Sequence, residues 1–144
     1  MESLTLNQVI AILDGFPDGI IIWKVETPNP DDIKLVYANK SADILSRFTI
    51  SSKVGKSASE IFSKIRETGL PDKWYKVAES NTPEEISGLE YEEKGHPYAV
   101  FDINLYPIGD MCVVTHYRNV TTRHKLQKQV DSIQSKVSKL LHSI

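Results

Sequence analysis

In His96–Tyr106 the order Phe101-Asp102-Ile103-Asn104-Leu105 sets apolar against polar residues one by one. Successive side chains of a strand point to opposite faces, so Phe101, Ile103 and Leu105 share one face and Asp102 and Asn104 the other. The same period of two begins upstream at Glu84, where Leu89 and Tyr91 lie on one face of a strand that Lys94-Gly95 turns back. Downstream, Pro107-Ile108-Gly109-Asp110 reads as a tight turn into a last strand, Met111–Asn119. The C-terminal half is therefore a three-stranded antiparallel meander.

The N-terminal half alternates helix and strand signals. Thr5 with Gln8 forms a capping box, and Leu6, Val9, Ile10 and Leu13 follow at helical spacing until Gly15 and Pro17 end the helix, Gly15 being free to take the left-handed conformation. A strand over about Gly19–Glu26 carries Ile21, Trp23 and Val25 on one face, and Pro28-Asn29-Pro30-Asp31 turns it into a second strand, Ile33–Ala38. Asn39 caps a short helix, Lys40–Arg47, with Ala42, Ile44 and Leu45 as its apolar residues. After Gly55, Ser57 and Glu60 form a second capping box, opening a helix with Ile61, Phe62 and Ile65 that ends at Gly69 with Pro71 behind it. Asp72 starts one more helix bearing Trp74 and Val77. Two strands, a helical excursion and a meander predict an α+β fold: a five-stranded antiparallel sheet with short helices on one face.

The 144 residues suffice for one domain with a real core. No apolar run approaches the roughly 20 residues that span a bilayer, and no basic segment precedes an apolar stretch at the N-terminus, which argues against a signal peptide. Cys112 is the single cysteine, so no internal disulfide is possible, and the expected compartment is the reducing cytoplasm. The net charge of −2 is unevenly spread: residues 121–144 hold Arg123, Lys125, Lys128, Lys136 and Lys139 against Asp131. A basic tail can touch nucleic acid or a membrane surface. Here it also carries an apolar stripe, and a solvated face on a helix with a protein partner is the preferred reading; no nucleic-acid partner is expected.

That stripe is regular. Leu126, Val130, Ile133, Val137, Leu140 and Ile144 are separated by four, three, four, three and four residues, an a/d heptad seam with β-branched residues at a and mainly leucine at d. The pattern predicts a parallel two-stranded coiled coil and hence a homodimer. Packing of the helix on its own sheet is the alternative, although such a stripe tends to be wider.

The order of elements and four short motifs resemble the PAS family. Leu13-Asp14-Gly15-Phe16-Pro17-Asp18-Gly19-Ile20 is similar to the family's entry into its first strand, and Tyr37-Ala38-Asn39-Lys40-Ser41-Ala42 to its strand end with a helix-capping Asn. Val54-Gly55-Lys56 matches the glycine before the helical excursion, and Arg118-Asn119-Val120-Thr121 resembles the Asp-Ile-Thr junction to an output helix. Asn119 departs from the family's Asp, and an amide cannot form the carboxylate–arginine pair often found there. The resemblance, over about residues 13–125, implies a cap helix at 1–17, a PAS domain at 18–120 and a signalling helix at 121–144, with Arg118, Asn119 and Thr121 as the relay.

The resemblance also implies a small-molecule pocket between the concave sheet face and the excursion, with Trp23, Phe62, Trp74, Leu89, Phe101 and Ile103 as candidate lining. The plainer reading is that these six residues fill the core. The flavin-adduct type of the family needs a cysteine in the excursion, which contains none. Haem-binding members supply an axial histidine, and residues 40–80 contain none. No Cys/His spacing suits zinc. A flavin held without a covalent bond, a fatty acid or a metabolite stays open as ligand. His116 with Asp102 is the one acid–base pairing the strands suggest, and without a phosphate loop, nucleophile elbow or H-E-x-x-H motif no catalysis is expected. The expected function is cytosolic sensing, relayed through a dimeric helix to an effector such as a histidine kinase or cyclic-dinucleotide cyclase. The helix stopping mid-heptad without a capping glycine suggests an excerpt of such a protein. The rival is a ligand-free dimerisation scaffold.

Overall fold

The computed structural model of the chain describes residues 3–47, 49–93 and 95–143, and of His96 and Pro97 the backbone alone. Helix α1 (Leu6–Asp14) starts where the Thr5 hydroxyl accepts from Gln8 N–H at 3.1 Å and the Gln8 side chain accepts from Thr5 N–H at 2.8 Å. Gly15 closes it with φ −83°, so the left-handed exit available to a glycine is not used. No residue of α1 is buried. Strands β1 (Gly19–Lys24) and β2 (Lys34–Ala38) pair antiparallel and lead into α2 (Lys40–Ser46).

The excursion is more broken than its sequence suggests. The Ser57–Glu60 capping box forms, but α3 spans only Ala58–Ile61 and gives way to a 3₁₀ turn at Ile65–Thr68. Gly69, at φ 75°, then turns the chain directly into α4 (Leu70–Ser80). Helix α4 thus starts two residues before Asp72, because Pro71 sits in the first turn, where a missing N–H is no loss.

Strands β3 (Glu84–Glu93), β4 (His96–Gly109) and β5 (Cys112–Asn119) complete a five-stranded sheet in the order β2-β1-β5-β4-β3, every neighbouring pair antiparallel. The expected turn at Pro107–Asp110 moves two residues on. Pro107 stays in the ladder opposite Val113, and the chain reverses at Asp110 and Met111, both at positive φ. The Lys24 ammonium holds the Asp110 carbonyl, fastening that turn to β1. The β3–β4 turn contains Lys94, which lies outside the described residues.

First and last strands meet at the centre, with Ile21 opposite Thr115 and Trp23 opposite Val113. The period of two then aims Ile21, Trp23, Ile103, Leu105, Val113 and Tyr117 at the helices, where they pack with Ala42, Ile61, Ile65, Leu70, Trp74 and Val77. Ile44, expected with the apolar face of α2, points to solvent instead.

Two side chains lock the middle of this arrangement. Asn39, fully buried, does more than cap α2: Oδ1 accepts from Ala42 N–H and Ile20 N–H, both at 2.9 Å, and the amide donates to the carbonyls of Leu13 and Asp18. The Tyr117 ring covers Gly19 so closely that a Cβ there would lie 2.4 Å from the ring, which is why β1 begins with glycine.

Helix α5 (Thr121–His142) leaves the sheet. Leu126, Val130, Ile133, Val137 and Leu140 are between 46% and 67% exposed, so the seam does not pack on its own sheet. Ile144, the last seam position, lies outside the described residues. No helix among the described residues is long and apolar enough to cross a membrane.

Candidate functional site

Between the inner sheet face and the excursion lies a cavity of about 680 Å³, within the range of small-molecule sites. Its size follows from the elements that cover it. A four-residue helix and a 3₁₀ turn ahead of α4 cannot lay down the continuous apolar stripe that a long helix would.

All six candidate residues border this one space: Trp23 from β1, Phe62 from the excursion, Trp74 from α4, Leu89 from β3, and Phe101 and Ile103 from β4. Trp23 and Trp74 also stand at the centre of the core, each 1% exposed, with ring centroids 5.0 Å apart. Phe62 meets Trp23 at 6.4 Å and Tyr91 at 5.7 Å, both edge-on. These aromatics therefore fill the core and border the cavity at once, and the two readings of them are not exclusive.

The structure adds residues the sequence reading passed over. Thr115 and Tyr117 of β5 share the cavity floor with Ile103. Their signal was present, since Val113, Thr115 and Tyr117 alternate as Phe101 and Ile103 do. The Tyr117 hydroxyl lies 3.2 Å from Ser46 Oγ and 3.3 Å from the Ala42 carbonyl, and burial raises its pKa above the ordinary phenol value. The Thr115 hydroxyl and both indole N–H groups are buried without a hydrogen-bond partner among the described residues. Such groups typically cost about 1–3 kcal/mol each. At the rim stand Ser46 and Arg47 from the end of α2 and Thr121, Thr122 and Lys125 from the start of α5. No sequence pattern announced Arg47 or Lys125, because only the fold brings those helix ends together.

The residues expected as a relay sit where β5 hands over to α5. Arg118 Nε donates to Asp18 Oδ2 at 3.0 Å. Asn119 Oδ1 accepts from Thr121 N–H at 3.0 Å and from the Thr121 hydroxyl, whose oxygen accepts from Val100 N–H at 2.9 Å. The carboxylate–arginine pair that Asn119 cannot make is made one turn on, by Asp102 of β4 with Arg123 of α5. The Arg123 hydrogen bond, helped by Gly88 N–H, holds the Asp102 carboxyl below its usual range.

Asp102 is therefore no partner for His116, and the acid–base pair considered from the strands is not formed. His116 Nε2 lies 2.8 Å from Asp18 Oδ2 and Nδ1 lies 3.3 Å from the Asn104 amide, so both ring nitrogens have partners. The pair points away from the cavity. Cys112 also stays clear of it, opening β5 opposite Lys24.

No protein-family model and no curated protein matches the sequence. Solved structures do. An RNA-binding Light-Oxygen-Voltage receptor superposes with a TM-score of 0.69 at 14% identity, over 95% of this chain and 39% of its own length. A PAS domain from Colwellia psychrerythraea gives 0.62 at 13% identity, over 81% and 98%. A domain of a sensory box sensor histidine kinase/response regulator from Geobacter sulfurreducens gives 0.59 at 12% identity, over 78% and 91%. At these identities the likeness is one of fold.

Proposed function

We propose that this chain, which has the PAS fold, is a sensory module whose cavity takes a small molecule and whose α5 carries the response to an effector. The carrying observation is that one 680 Å³ cavity is bordered both by the aromatic core and by the first turns of α5. A ligand there touches the element that leaves the domain. Occupancy shifts β4 and β5, and the relay at Arg118, Asn119 and Thr121 passes that shift to the helix.

The exposed seam of α5 supports pairing with a second copy, because five apolar side chains in a heptad register stay in water otherwise. Rotation of one seam against another is a change in dimer geometry that a following domain can read. Likeness to a domain of a sensor histidine kinase supports an effector of that kind, and a cyclic-dinucleotide cyclase would read the same motion. Cytoplasmic location belongs to this reading. A cysteinyl flavin adduct does not, because Cys112 is the chain's single cysteine and lies off the cavity.

Native mass spectrometry and an absorption spectrum of freshly purified protein, followed by thermal shifts across a metabolite panel, test the reading. A bound mass, a chromophore or a ligand-induced shift is expected. Absence of all three, with the protein dimeric, would favour the ligand-free scaffold.

A further inference from the structure

The cavity's charge is one-sided. Among the described residues that border it there is no Asp or Glu, although residues 1–120 hold 18 acidic against 12 basic residues. The two charged residues present are Arg47 and Lys125. Neither makes an ion pair or a side-chain hydrogen bond among the described residues, whereas Asp18, Asp31, Glu84 and Asp102 are each paired elsewhere. The two tyrosines of the β3–β4 wall, Tyr91 and Tyr98, donate their hydroxyls to Glu93 and Glu90, neither of which borders the cavity.

A second feature has the same sign. The first turn of the 22-residue α5 borders the rim through Thr121 and Thr122 and carries no acidic side chain, so the helix dipole favours negative charge at that end. The deeper walls are aromatic and aliphatic apart from Thr115. Arg47 has a plainer role available, as a cation at the C-terminus of α2, but that role does not require it to border the cavity.

We infer that the ligand is an organic anion with a flat apolar body: the body lies against Trp23, Phe62 and Trp74, and a carboxylate, sulfonate or phosphate lies at the rim between Arg47 and Lys125. This rests on the sensory reading and sharpens it. The anionic group joins α2 to α5 directly, so occupancy fastens the departing helix to the domain by a second route beside the strand relay.

Two fluorescent probes of matched shape test this on the full chain: 8-anilinonaphthalene-1-sulfonate, which is anionic, and N-phenyl-1-naphthylamine, which is neutral. Parent protein should bind the sulfonate several-fold more tightly. The double variant Arg47→Asn/Lys125→Gln should bind the sulfonate about tenfold more weakly and the neutral probe within about twofold of the parent; Asn tolerates the left-handed backbone of Arg47. Sulfonate should slow amide exchange over residues 121–125 in the parent and not in the double variant. Ala99→Phe, which adds a ring to the cavity wall, should weaken binding of both probes several-fold. Equal affinity for the two probes, or a sulfonate affinity untouched by the double variant, overturns the anion assignment and leaves the cavity reading standing. Binding of neither probe, or affinities for both that Ala99→Phe leaves unchanged, removes the cavity reading and this inference with it. Lys125→Gln alone, on an exposed helix face, gives the same comparison should Arg47→Asn impair folding.

Discussion

Replacing Asn39 separates a helix cap from a structural hub. As a cap alone, Asn39→Ala would cost about 1 kcal/mol. The structure demands more. Losing Oδ1 also strands the Ile20 N–H inside the protein, and losing the amide leaves the Leu13 and Asp18 carbonyls without that donor. A buried donor left unpaired costs about 1–3 kcal/mol, and the carbonyls, nearer the surface, add less. The expected loss is about 3 kcal/mol, which lowers the melting temperature by about 10 °C for a chain of this size. Asn39→Ser is the decisive control. A serine caps a helix about as well as asparagine but cannot span to Ile20 and Leu13 together, so it should lose nearly as much as alanine. Urea unfolding followed by fluorescence of the buried Trp23 and Trp74 measures both. Full stability of Asn39→Ser would show that the long-range bonds contribute nothing and would refute the hub.

Gly19→Ala should destabilise by about 1–3 kcal/mol, because the new Cβ meets the buried Tyr117 ring at 2.4 Å and the ring has little room to yield; in a double-mutant cycle with Tyr117→Leu the two losses should be less than additive. Thr115→Val should be neutral or stabilise by up to about 1 kcal/mol in the ligand-free protein, since it removes a buried hydroxyl without a partner; clear destabilisation would mean the hydroxyl has one. Asp102 has its pKa lowered on folding by Arg123, so its contribution is present above the unfolded value near pH 4 and is lost as pH falls through the lower folded value. The stability gap between parent and Asp102→Asn, measured by urea titration, should therefore be wider at pH 7 than at pH 2.5. Val137→Glu should shift light scattering toward monomer, because it puts a charge into the proposed seam; a parent that is already monomeric at micromolar concentration would end the coiled-coil proposal.

Local rules carried the sequence a long way. Period-two alternation found the strands, the Thr5–Gln8 and Ser57–Glu60 boxes found two helix starts, and Asn39 was read as a cap from its place alone. These signals are local because they rest on side-chain direction and on backbone groups within one turn. Failures came where a neighbour decided: Pro107 stays in a strand because β5 pairs with it, Pro71 opens a helix where it was read as stopping one, and the α3 helix breaks early under the sheet. The heptad seam was equally plain in sequence. Whether it packs back or stands free was not, because both outcomes need an apolar stripe.

Composition and spacing by themselves determined an antiparallel α+β chain with an apolar-seamed tail, since alternation, capping and heptads act over a few residues. Only the tertiary structure decided that β1 lies beside β5, that Asn39 ties four segments together, that Asp102 rather than the junction residue holds Arg123, and that Arg47 and Lys125 share one rim. Each of these joins residues far apart in the chain, and such pairs meet only after the sheet has chosen its strand order.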